Sequence, residues 1–224
     1  MNNFAENVIR FYQTIQLPKD LPKGIEVMQP HLLSEIAKVS SSFYQKFYSD
    51  IQPRTFLIGI NPGRFGGGVT GVPFTDPDKL RQVCGIEHQL SGKAELSADF
   101  IYQVIQEYGG TTKFYGDFYF TSMVPLGFTR DGKNLNYYDD TELMQQLSPL
   151  MAKWMTKQVQ FGADRDRCIC LGSGKNLKYL KKLNEQHRFF KRIDSLDHPR
   201  FIMQYKRRSL PEYIHKYLKI LDQE

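Results

Sequence analysis

Residues Gly59 to Phe74 read Gly-Ile-Asn-Pro-Gly-Arg-Phe-Gly-Gly-Gly-Val-Thr-Gly-Val-Pro-Phe, with six glycines, two prolines and one asparagine. The apolar run Thr55-Phe56-Leu57-Ile58 comes directly before it. That run is short, bounded by Pro53 and Pro62, and reads as a buried strand rather than a helix. A long flexible loop at the carboxyl end of a buried strand is where open α/β sheets bind ligands. Glycines there let backbone approach a ligand closely, and sixteen residues are more than a bare connection needs.

Working outward, the chain alternates strands and helices. Helices are expected over about 3–16, 31–49 and 77–83. Another opens near Ser97 as its cap, with Phe100, Ile101, Val104, Ile105 and Tyr108 on one face. Phe114 to Val124, rich in aromatic and β-branched residues, predicts a strand. Residues 140–160 predict a helix with Leu143, Leu147, Met151, Trp154 and Met155 inward, kinked or divided at Pro149. Cys168–Leu171 and Arg192–Leu196 predict two more strands, the first turned by Gly172-Ser173-Gly174 into a helix from Lys175. Ser209 and Glu212 predict a capping box for a last helix, with Ile214, Tyr217, Leu218 and Leu221 toward the core. The expected architecture is a single α/β domain over 1–224, a three-layer α/β/α sandwich around a mostly parallel four-stranded sheet.

Composition narrows the function. The 224 residues are 41% hydrophobic and 24% charged, the profile of a soluble globular protein. No apolar run is long enough for a membrane span, and the amino terminus lacks the pattern of a signal peptide. Cys84, Cys168 and Cys170 have no spacing suited to a disulfide framework or metal site, so a reducing cytoplasm and no metal or cofactor are expected. The net charge of +6 is uneven. Between Lys175 and Lys219 there are 13 Lys or Arg against 4 Asp or Glu. That asymmetry points to a polyanion as partner.

Three strand ends carry polar residues suited to positioning water and donating hydrogen bonds: Asn61, Ser122 and His198. In a parallel sheet such ends converge on one crevice. The pattern Gly59-x-Asn61-Pro62-Gly63-x-Phe65-Gly66-x-x-x-Thr70-Gly71-Val72-Pro73-Phe74 closely resembles the first motif of the single-strand-selective monofunctional uracil-DNA glycosylases. Ser122-Met123-Val124-Pro125-Leu126 resembles that family's base-reading strand end, and His198-Pro199 the start of its last motif. Leu21-Pro22-Lys23-Gly24-Ile25-Glu26-Val27 is also similar. The resemblance implies the uracil-DNA glycosylase fold and excision of damaged bases from DNA.

It also implies roles. Asn61 orients the attacking water, and His198 donates to a base oxygen as negative charge develops. Phe74 stacks on the base, with the backbone at Gly63 and Gly67 beside it and Ser122 at its edge. For DNA, Arg64, Arg200, Phe201, Lys206, Arg207 and Arg208 are the candidates: the cations for phosphates, the apolar residues for the vacated stack. The sequence departs from the family at four places. Ser122 stands for an asparagine, Arg64 for a proline, Gly67-Gly68 for bulkier residues, and Arg200-Phe201 for Ser-Pro. A serine offers one hydroxyl where an amide offers two fixed functions, so xanthine and hypoxanthine join uracil as expected substrates. A monomer is expected. Two other readings stay open. Leu171-Gly172-Ser173-Gly174-Lys175-Asn176 suggests a phosphate loop of a nucleotide-binding enzyme, although Asn176 breaks that pattern. The chain could also be a DNA-binding module without catalysis.

Overall fold

The structure, a computed structural model, describes residues 2–223. Its helices are α1 (Phe4–Gln13), α2 (Ser34–Tyr48), α3 (Gly67–Thr70), α4 (Pro77–Gln82), α5 (Leu96–Tyr108), α6 (Thr111–Asp117), α7 (Thr141–Val159), α8 (Lys175–His187), α9 (Pro199–Tyr205) and α10 (Leu210–Leu221). Its strands are β1 (Ile25–Met28), β2 (Arg54–Gly59), β3 (Phe118–Ser122), β4 (Gly127–Arg130), β5 (Lys133–Leu135), β6 (Ala163–Leu171) and β7 (Arg192–Leu196).

The central sheet has the order β3-β2-β6-β7, and every pairing is parallel. Its inner strands are buried on both faces, which is why they read as continuous apolar runs. Phe56, Leu57 and Ile58 on β2, and Cys168 to Leu171 on β6, are all buried. Helices cover the sheet, giving the expected α/β/α layers. Leu143, Leu147, Met151, Trp154 and Met155 of α7 are buried as their spacing predicts, and α7 runs unbroken through Pro149.

The register decides where the site lies. Gly59 pairs with Ser122, and Leu171 with Leu196. The four strands therefore stop together, and the segments that follow them leave from one edge.

Three local expectations are corrected. Phe114 and Tyr115 belong to α6, and the strand begins only at Phe118. Tyr115 packs on Phe43, Phe47 and Tyr48, so tertiary packing overrides the strand preference of its aromatic run. The cap residue of α5 is Glu95, and Ser97 is buried inside the first turn. Ser209 makes no side-chain cap bond, because the 3₁₀ turn Arg207–Ser209 runs directly into α10. A second sheet, β1-β4-β5, is antiparallel and was not expected. Its β4–β5 hairpin turns through Asp131 and Gly132, both at positive φ (51° and 66°), the conformation that Asp-Gly hairpin turns favour.

Candidate active site

The segments leaving the carboxyl edge of the sheet enclose a cleft of about 70 Å³. Its walls include Asn61, Gly63, Phe74, Ser122 and His198 of the expected site, with Glu95, Asn134 and Arg200. No other hollow among the described residues brings Asn61, Phe74, Ser122 and His198 together. One of about 740 Å³ lies toward the starts of the strands, near Thr55, Phe118, Arg167 and Arg192, and contains none of the expected residues. The smaller cleft is the candidate because strand ends, not strand starts, gather loops around a ligand.

Asn61 is locked in place. Its Oδ1 accepts from the Tyr137 N–H at 3.1 Å and its Nδ2 donates to the Leu135 carbonyl at 3.2 Å. The glycine loop is thereby tied to the chain at and after β5. One lone pair of Oδ1 and one hydrogen of Nδ2 remain for a ligand.

Phe74 sits at φ 54°, a left-handed conformation that costs a non-glycine residue on the order of 1–3 kcal/mol. Its ring lies 5.1 Å from that of Phe120 and 5.9 Å from that of His198. A Cβ at Gly59 would come within 2.9 Å of the Phe74 ring, so glycine at the end of β2 is what lets the ring lie there.

His198 caps α9 and its ring orientation is set by that role. Nδ1 accepts from the Arg200 backbone N–H at 3.2 Å. An Nδ1 that accepts carries no proton, so in the neutral ring the hydrogen is on Nε2. Burial, with the charge of Arg200 beside it, pushes the His198 pKa down to about 4. The ring is therefore a neutral Nε2–H donor at physiological pH.

Ser122 is buried at the end of β3, and its carbonyl accepts from Gln158 Nε2 at 3.4 Å. Its hydroxyl has no hydrogen-bond partner among the described residues, which leaves it free to rotate toward a ligand.

The other expected residues are more dispersed. Gly63 lines the cleft, but Gly67 begins α3 behind it, packed toward Pro62 and Pro73. Arg64 lays its guanidinium 4.4 Å from the Phe65 ring centre and donates to the Gly132 carbonyl. One of its five N–H groups is thus given to the hairpin. Phe201 is 41% exposed and, with His198 and Lys175, borders an adjoining hollow of about 250 Å³. Phe201 and Tyr205 form an exposed aromatic pair on α9, 5.4 Å between centres, while Ile202 and Met203 are buried. Lys206, Arg207 and Arg208 are exposed beyond the far end of α9, about 10 Å from its start at 1.5 Å per residue. Arg207 borders a separate groove with Lys79 and Asp99.

The phosphate-loop reading loses its support. Asn176, where that motif needs a free hydroxyl, is buried. It donates to the Gly59 carbonyl at 3.2 Å and accepts from the Tyr137 hydroxyl at 3.0 Å. It is a brace between α8, β2 and the chain beyond β5. Glu95 and Asn134 were missed. The Asp131-Gly132 dipeptide signals the hairpin that carries Asn134, whereas nothing local marks Glu95. Among the described residues, no helix is long and apolar enough to cross a membrane.

The uracil DNA glycosylase superfamily matches residues 45–222. Among solved structures, the chain is similar to the crystal structure of wild-type SMUG2 from Pedobacter heparinus. The two share 44% identity over 98% of this chain and 97% of that one, with a TM-score of 0.94. No curated protein matches. The resemblance carried by the Asn-Pro-Gly loop thus holds for the whole fold, and the chain belongs to the uracil DNA glycosylase superfamily as a DNA glycosylase, a hydrolase of N-glycosidic bonds.

Proposed function

We propose that this enzyme hydrolyses the N-glycosidic bond of a deaminated base, namely uracil, xanthine or hypoxanthine, flipped out of DNA, and leaves the strand unbroken. The observation that carries this reading is the meeting of Asn61, Phe74, Ser122 and His198 in one cleft, with His198 presenting Nε2–H. A stacked base cannot reach such a cleft, and extruding it costs a few kcal/mol. Phe74 offers a face for the extruded base. Phe201, exposed on α9 at the hollow adjoining the cleft, is suited to fill the vacated stack.

As the bond to the sugar lengthens, positive charge builds on the sugar and negative charge on the base. The His198 Nε2–H stabilises the second. It does so as a neutral donor, so it needs no proton from solvent. Asn61 holds the attacking water on its remaining Oδ1 lone pair. An amide takes no proton, so its contribution is position. The enzyme acts as a single-domain monomer in the cytoplasm and needs no metal.

Lys206, Arg207 and Arg208 bind phosphates and read no sequence. Replacing all three by Ala is expected to weaken DNA binding equally across sequences and to flatten its salt dependence by about one unit of slope per residue. An unchanged slope, measured by fluorescence anisotropy across a salt series, places the DNA elsewhere.

Ser122 sets base preference. Ser122→Asn introduces a fixed acceptor and donor and is expected to shift preference toward uracil over xanthine. A matched base edge contributes about 1–3 kcal/mol, so the ratio of single-turnover rates moves about tenfold or more. An unchanged ratio in both Ser122→Asn and Ser122→Ala removes Ser122 from the base edge.

The reading as a whole is tested with oligonucleotides carrying one uracil, xanthine, hypoxanthine or normal base, treated with alkali after incubation. Alkali-dependent breaks at the deaminated positions are expected. Their absence at all three contradicts it.

A further inference from the structure

Among the described residues, Glu95 is the one carboxylate on the cleft wall, and nothing in the steps above uses it. Its main chain is fixed by a 3.0 Å bond from its N–H to Asp76 Oδ2. Its side chain is not spent on the helix it precedes, because it makes no cap bond to α5. Oε2 is buried without any hydrogen-bond partner among the described residues. The carboxyl is seated on glycines. A Cβ at Gly66 would overlap Oε2, and one at Gly63 would come within 2.9 Å of Oε1. Gly63 also borders the cleft and lies near Asn134 Nδ2. An unpartnered carboxyl at a ligand cleft, given room by two glycines, is a group waiting for a partner.

We propose that Glu95 contacts the flipped base and, as a carboxylic acid, holds its lactam edge, supplying the acceptor-beside-donor pattern that Ser122 alone cannot. This rests on the glycosylase reading above. Uracil, xanthine and hypoxanthine each carry a ring N–H beside a carbonyl. A side-chain amide matches that edge with its oxygen and its NH₂. A protonated carboxyl has the same shape and the same pattern, with one oxygen accepting and one O–H donating. The terminal torsion of a glutamate is soft, so both oxygens can turn onto the edge. An ionised carboxylate only accepts, and its charge opposes the charge that the departing base gains.

The surroundings favour the acid form. Burial first, then the charge of Asp76 ahead of α4, raises the Glu95 pKa to about 7, with Asp99 of α5 adding and Arg200 of α9 opposing. The glycine loop meets the carboxyl with Gly63 and Gly66. Since the folded value lies above the ordinary one, the acid form predominates below about pH 7 and is lost as pH rises through that value.

The test measures single-turnover release of uracil and of xanthine on both sides of that midpoint, with wild type, Glu95→Gln and Glu95→Ala. Wild type is expected to slow by about tenfold or more as the pH rises past it. Glu95→Gln keeps the pattern without a proton to lose, so it holds the fast rate and removes the fall. Glu95→Ala is slower by about tenfold to hundredfold at every pH. A wild-type fall that persists unchanged in Glu95→Gln overturns the proposal, as does an alanine variant as fast as wild type. If the alanine variant does not fold, wild type against Glu95→Gln still decides. A wild type inactive on every deaminated base overturns the glycosylase reading itself, a result distinct from all of these.

Discussion

Replacing His198 by alanine is expected to slow base release by about 10²–10³-fold, the loss of one preorganised donor worth roughly 3–4 kcal/mol in the transition state. The expectation rests on its fixed geometry. Nδ1 is engaged by the Arg200 N–H at 3.2 Å, so Nε2–H is aimed without reorganisation. The loss belongs in the chemical step, because the donor matters most when the base carries charge. Substrate binding changes little. The pH dependence carries a second signature. Because the folded pKa lies near 4, below the ordinary 6.5, the ring stays neutral across that interval. The His198 contribution to rate is therefore unchanged on acidification to about pH 5, and as pH falls through about 4 protonation of Nδ1 breaks its bond from the Arg200 N–H while Nε2–H remains a donor. The same depression makes the unfolded chain bind the proton first. Its effect on stability therefore grows as pH falls from about 6.5 to about 4, destabilising the fold. Stopped or quenched single-turnover measurements of the variant test the first expectation, and a rate within tenfold of wild type removes His198 from the reaction.

Asn61→Ala is expected to act on rate and stability together. It removes the acceptor proposed to position water, and it breaks both bonds that tie the glycine loop to the chain at Leu135 and Tyr137. An orphaned buried group costs about 1–3 kcal/mol, so a measurable drop in melting temperature accompanies a loss of about 10² or more in rate. Asn61→Asp separates the two effects in part. Its carboxylate still accepts from the Tyr137 N–H but faces the Leu135 carbonyl with no donor. A fully active and fully stable Asn61→Ala variant contradicts the assignment.

Much of this site was legible in the sequence, and the reason is chemical. The strands β2 and β6 are buried on both faces, so their apolar runs stood out and placed the loops that follow them. The Asn-Pro-Gly loop and the His-Pro step stood out because special backbone geometry demands special residues. Phe74 at positive φ and Gly59 beneath its ring are the physical content of that motif. The failures share a cause as well. Phe114 and Tyr115 looked like strand because aromatic residues fit sheets, yet their helix forms to fill the hydrophobic layer under α2. Arg64 read as a cation for phosphate, and its bond to the Gly132 carbonyl of the hairpin could not be seen in the sequence. Glu95 was invisible because its environment is tertiary. The glycines that seat it come from a distant loop, and burial first, with the charge of Asp76 from another loop, raises its pKa.

The most direct measurement of the central claim is the mass of a single oligonucleotide strand carrying one uracil or xanthine, recorded after incubation with the enzyme and before any alkali. The account predicts an unbroken strand that has lost the base and gained the elements of water at that sugar, together with free base in solution. Strands of unchanged mass for uracil and xanthine alike, or strands already cut at the site, would contradict it.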